Sequence, residues 1–172
     1  MGRAIMLKNI TIPVQIKKVK DPEGREVLKA TVPMNLMFEK DFDAKWLEEE
    51  LIKFEKKYFA LVEDLKHLLQ VIRSKKQKEG RVLLYWKFGD RILKFIEQGK
   101  NNFLFLENLT KSLVRDIGLS DKMIMRCKRF RVLYPDVIKI DPNRSFDSYV
   151  ATFEGGYIPK SRQRKAKKNE KN

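Results

Sequence analysis

A single cysteine in 172 residues excludes an internal disulfide and any metal site built from paired thiolates. His67 is the lone histidine, so a cluster of imidazoles is excluded as well. Apolar runs are short everywhere, below the roughly 18–20 residues that span a bilayer. Enzyme signatures are missing too: there is no glycine-rich phosphate loop, no GxSxG and no HExxH. The opening MGRAIMLKNITIPV lacks a continuous apolar stretch, and Met6 stands where a myristoylation signal wants Ser or Thr. The expectation is a cytoplasmic, non-enzymatic chain with no cofactor and no metal. Carboxylates are scarce as well: 23 Asp and Glu face 38 Lys and Arg, a formal net charge of +15. Such an excess draws polyanions.

What is present suffices for a packed core, with 42% hydrophobic residues and eleven phenylalanines. Ile10, Ile12, Val14 and Ile16 alternate with polar residues, the period of a half-buried strand. Asp21-Pro22-Glu23-Gly24 then supplies a type I turn, and Leu28, Ala30, Val32 and Met34 supply the return face. Residues 1–36 are therefore expected as a β-hairpin, with Pro13 and Pro33 at edge positions. Two strands alone are marginal in water, so the hairpin needs helices or another chain to pair with.

Residues 37–80 read as one long helix from about Asp43 to Lys78, with Gly80 placed to cap it. Leu47, Leu51, Phe54, Tyr58, Leu61, Leu65, Leu68 and Ile72 recur at alternating steps of four and three, a heptad seam. The seam suits packing inside the chain's own bundle. It equally suits a coiled-coil homodimer through residues 47–72, with the hairpin as an alternative dimer surface. Residues 81–156 divide into helices near Arg81–Gln98, Phe103–Asp116, Ser120–Tyr134 and Ser145–Glu154, with a turn at Gly99-Lys100-Asn101-Asn102. Residues 157–172 form an expected disordered basic tail. The expected fold is mainly α: a helical bundle with a long heptad helix and a helix-turn-helix, preceded by a β-hairpin, hence α+β overall.

The stretch from Asn108 to Tyr134 has the spacing of a helix-turn-helix with Gly118 as the turn glycine. Leu113, Ile117, Leu119, Ile124 and Cys127 fall where crossing helices touch, and all five are apolar. Val114 departs from the pattern, because close approach favours Ala or Gly there. Ser120 is a good N-cap for the second helix, followed by Asp121. Met123, Cys127, Phe130 and Tyr134 make its expected buried stripe. The other face holds Lys122, Met125, Arg126 and Arg129, with Lys128 and Arg131 alongside. Arg and Lys in this position reach guanine edges or phosphates. Lys111, Arg115 and Ser120 join them as candidate nucleic-acid contacts, with Lys122, Arg126 and Arg129 the leading ones.

Seven basic residues follow in the tail, against Glu170 alone. Of these Lys160, Arg162, Arg164, Lys165, Lys167 and Lys168 are candidate backbone contacts, which add affinity without specificity. A purely solubilising tail is the alternative.

Residues 82–150 also resemble a known family. The segment LLYWKFGDRI (Leu83 to Ile92) is similar to the LYW-x-x-G-x-x-I helix of the N-terminal helical domain of YhcG-type proteins. NLTKSLVRDIGLSDKMIMRCKRFRVLYP resembles that domain's LSxxL…GFSxxNLxxMRxFY…YP stretch, and Ser145 to Tyr149 stand where the family has SWSHY. The resemblance implies a winged-helix-like domain that engages DNA or partner proteins, usually followed by a PD-(D/E)xK nuclease domain. Here only a short helix and the tail follow Tyr149, so nuclease activity does not carry over. Glu55-Lys56-Lys57 and Asp64-Leu65-Lys66 spell the end of that signature, but they lie on the heptad helix without a paired acid on a strand.

Double-stranded DNA is therefore the first expected partner, for a regulator, an architectural factor or a mobile-element protein. An RNA- or ribosome-associated role is the second expectation, and an adaptor subunit for a separate nuclease the third.

Overall fold

The computed structural model describes residues 14–32, 44–74, 79–101 and 104–153. Strands β1 (Val14–Lys20) and β2 (Glu26–Thr31) pair antiparallel, with Ile16 opposite Ala30 and Lys20 opposite Glu26. The turn between them closes as the sequence reads: the Gly24 N–H donates to the Asp21 carbonyl at 2.9 Å, and Gly24 takes φ +79°. Val14, Ile16 and Leu28 face the core. Ile10, Ile12, Pro13, Pro33 and Met34 lie outside the described residues.

Helix α1 (Ala44–Ser74) lies against this sheet and is the longest element. Its heptad seam is consumed within the chain. Leu47, Phe54, Tyr58, Leu61, Leu65 and Ile72 are buried, and Leu51 and Leu68 pack against the same core. Val62 and Leu69 widen the buried face, as a bundle requires and a two-stranded coiled coil does not. A homodimer through that seam would have to unpack the core. Ile52 and Phe59, 47% and 42% exposed, are what this helix offers outward.

Helix α2 (Arg81–Asn101) runs past the expected stop at Gln98. Gly99 is not a turn residue but the close contact of the last helical turn. A Cβ there would lie 2.5 Å from the Leu104 carbonyl oxygen, so only glycine lets the next segment fold back. That segment corrects a second expectation. Leu104–Leu106 is strand β3, not the start of a helix. It pairs parallel with β1, Val14 opposite Leu104 and Ile16 opposite Leu106, giving the sheet order β2-β1-β3. The open edge of β1 supplies backbone partners that a helix at this point would forgo.

Helices α3 (Leu109–Ile117) and α4 (Asp121–Leu133) follow, joined through Gly118-Leu119-Ser120. Gly118 has φ +66° and donates its N–H to the Val114 carbonyl, the left-handed C-cap that glycine adopts without a Cβ penalty. Leu113, Ile117, Ile124 and Cys127 are buried where the two helices meet the body, and Leu119 and Val114 pack against the same core. A 3-10 turn (Val137–Lys139) leads to helix α5 (Phe146–Phe153), whose Phe146, Tyr149 and Val150 close the bundle.

Candidate nucleic-acid interface

Helix α4 is fixed from its inner face. Ile124, Cys127 and Phe130 are fully buried, whereas Met123 and Tyr134, expected in the same stripe, sit at its half-buried margins. The α2–α4 crossing is close enough that a Cβ on Gly89 would lie 2.1 Å from the Cys127 carbonyl oxygen. Trp86 Nε1 donates to the Tyr134 carbonyl at 2.7 Å and anchors the far end of α4. Beyond it Phe130, Tyr134, Phe146 and Tyr149 form a ring cluster with centroids 5.0–5.5 Å apart, and Tyr85 stacks on Phe146 at 4.3 Å. The residues that carry the resemblance, Tyr85, Trp86, Gly89, Phe146 and Tyr149, are thus packing residues of one junction.

An ion pair locks the same junction. Arg131 Nε donates to Asp90 Oδ1 at 2.8 Å, Lys94 lies 2.9 Å from the other oxygen, and the Arg131 guanidinium sits 4.7 Å from the Trp86 ring centre. Burial pushes the Asp90 carboxyl up, but the hydrogen bonds from Lys94 and Arg131 outweigh it and hold it below the usual carboxylate range. Arg131, expected to contact nucleic acid, is spent inside the fold: its charge is matched to Asp90. Burial also pushes the Cys127 thiol up to about 12, which removes it as a nucleophile.

The opposite face of α4 carries Lys122, Met125 and Arg129, all exposed, with Arg126 and Lys128 half-buried at its sides. Arg129 leans over the Phe153 ring at 5.3 Å. Ser120 caps the helix, its hydroxyl accepting from the Met123 N–H at 3.3 Å, so its oxygen serves the fold. On α3, Lys111 and Arg115 are exposed. Lys160, Arg162, Arg164, Lys165, Lys167 and Lys168 lie outside the described residues.

Sequence reading missed the surroundings of Lys111 and Arg115. Beside them, β1 contributes Lys17 and Lys18, and the loop before α3 contributes Glu107 and Asn108; with Ser112 they line a cleft of about 340 Å³. Lys18 Nζ lies 2.7 Å from both Asp116 oxygens and 2.7 Å from Glu26. The Tyr58 hydroxyl donates to the same Asp116 from α1. Burial and that bond push the Tyr58 hydroxyl well above its usual range, and the Lys18 hydrogen bond holds Glu26 below its own. A signal for this was available. Val14, Ile16 and Lys18 share one column of the strand, and a lysine in an apolar column needs a carboxylate behind it.

Elsewhere, His67 is exposed on α1. Glu55 accepts from the Leu28 N–H at 3.3 Å and Asp64 lies 3.6 Å from Arg91, so the two signature-like acids have separate structural neighbours. Among the described residues no three His, Cys, Asp or Glu side chains are grouped to hold a metal, and no helix is long and apolar enough to cross a membrane. Compared with known proteins, the chain matches no family model, no curated protein and no solved structure.

Proposed function

We propose that the chain is a non-enzymatic DNA-binding protein whose helix-turn-helix is formed by α3 and α4. The supporting observation is the two-sidedness of α4. One face is immobilised by Ile124, Cys127, Phe130 and the Trp86 bond, while Lys122, Met125 and Arg129 stand exposed on the other with Arg126 beside them. A helix held from behind with cations in front is what entry into a major groove requires. The basic tail adds sequence-independent affinity for phosphate backbone. A regulatory, architectural or mobile-element role fits this reading, and so does the resemblance to the YhcG-type helical domain. Pairing of two half-sites would fall to the outer edge of β2 rather than the buried seam.

The test is fluorescence anisotropy with duplex DNA and structured RNA across a salt series, using the full chain and residues 1–158. Reversal of charge in Arg126→Glu/Arg129→Glu should abolish duplex binding. Unchanged duplex affinity would remove α4 from the interface.

One observation favours the adaptor reading as the alternative. Val132, Leu133, Val137 and Ile138 lie exposed in sequence around Tyr134-Pro135, Ile138 at 90%. Apolar side chains in this density suit a protein partner. Ile138→Asp should leave duplex affinity unchanged and would weaken only such a partner.

A further inference from the structure

The small sheet has one face against the helices and one left open. Val14, Ile16, Leu28, Leu104 and Leu106 point inward, so the residues between them point out. The register sets these in rows: Thr31, Gln15 and Phe105 across β2, β1 and β3, then Lys29, Lys17 and Glu107. Of these only Phe105 is half-buried, and the others are exposed. We propose that this face binds single-stranded nucleic acid, with one base stacked on Phe105 and adjacent phosphates on Lys17 and Lys29. The site is separate from the outward face of α4 and does not depend on the duplex reading.

The aromatic ring is the first reason. Phe54, Phe95, Phe130 and Phe146 all pack ring against ring inside the fold. Phe105 joins neither the core nor a ring pair among the described residues. A cleft of about 410 Å³ borders it, with Ile96, Leu106 and Leu109 as apolar walls and Asn108, Thr110 and Lys111 among its polar lining. An unpaired base needs such surroundings, an apolar surface for its face and hydrogen-bonding groups for its edge. A duplex keeps its base faces inside its own stack.

Charge is the second reason and an independent one. Lys17 and Lys29 stand directly opposite each other on β1 and β2, an arrangement that disfavours the pairing of the strands. Glu107 reaches Lys17 at 3.3 Å, but Lys29 forms no ion pair among the described residues. An anion beside the two ammonium groups relieves their repulsion, and a polynucleotide carries one at every nucleotide. An acidic peptide answers the lysines, whereas planar bases answer the ring as well.

The experiment is fluorescence anisotropy of the full chain with a labelled oligothymidylate across a salt series, with amide NMR to locate the contact. Phe105→Leu keeps an apolar side chain and should weaken binding about tenfold, the loss of one stacked base. Lys29→Gln should lower the salt slope by about 0.7, with a urea midpoint at or above that of the wild type. The amides of Gln15, Lys17 and Phe105 should shift on binding. Arg126→Glu/Arg129→Glu should leave those shifts in place whatever it does to duplex binding, so the two readings fail separately. Affinity indifferent to both Phe105→Leu and Lys29→Gln, or no shifts in β1 and β3, overturns the proposal and assigns single-strand binding to the basic tail. Displacement of the strand by polyglutamate as efficient as by unlabelled strand of equal charge overturns it in favour of an acidic protein segment.

Discussion

Arg129 and Arg131 stand two positions apart on α4 and face opposite ways. Arg131 is drawn under Trp86 and onto Asp90, with its side chain 26% exposed, whereas Arg129 lies over Phe153 at the surface. In the sequence they are the same residue in the same basic run. Packing assigns one of them to the interior and the other to solvent, so a count of charges along a helix overstates the field that it presents.

The inner face can be broken first. Gly89→Val should destabilise the fold by about 3 kcal/mol or more, read from the urea midpoint, because its side chain meets the Cys127 backbone rather than a movable side chain. Exchanging the two arginines' roles is the sharper comparison. Arg131→Met should cost about 2–3 kcal/mol by leaving Asp90 short of a partner in a buried site. Arg129→Met should change stability by no more than about 0.5 kcal/mol, yet weaken duplex binding. Equal stability losses for the two would erase the distinction between the faces.

Acid titration probes the same pair. Asp90 has its native value lowered, so its stabilisation is present above the ordinary carboxylate range and is lost as pH falls through that lowered value. The stability gap between the wild type and Arg131→Met should therefore narrow below about pH 4. Cys127 has the opposite sign. Its thiol is raised, so its contribution is full below the ordinary thiol value and is lost as pH climbs toward about 12. At neutral pH a thiol reagent should label it only at the rate of unfolding. A small effect belongs to the rim, where Phe153 packs half-buried against the core: Phe153→Leu should cost about 0.5–1 kcal/mol, read from the urea midpoint.

These contrasts mark what the sequence could and could not convey. The α3–α4 pair was legible because Leu113, Ile117, Ile124 and Cys127 obey local helical spacing and Gly118 and Ser120 obey local capping rules. The hairpin turn was legible for the same reason. Strand β3 was not, since three residues between two helices become a strand only because β1 has an open edge. The pairing of Asp90 with Arg131 was equally hidden, because nothing local joins positions on separate helices. The cleft beside β1 combined both difficulties: Lys18 follows a readable strand period, but the partners that make it significant come from α1 and α3.

The parallel pairing of Val14 with Leu104 also sets an order of events. The β1–β2 hairpin closes locally, on a scale of about 1–10 μs. Strand β3 can join only after α1 and α2 have brought the ends of a long loop together, a contact of high sequence separation that slows folding. The cleft between β1 and α3 therefore rests on a contact of high sequence separation as well as on local helices.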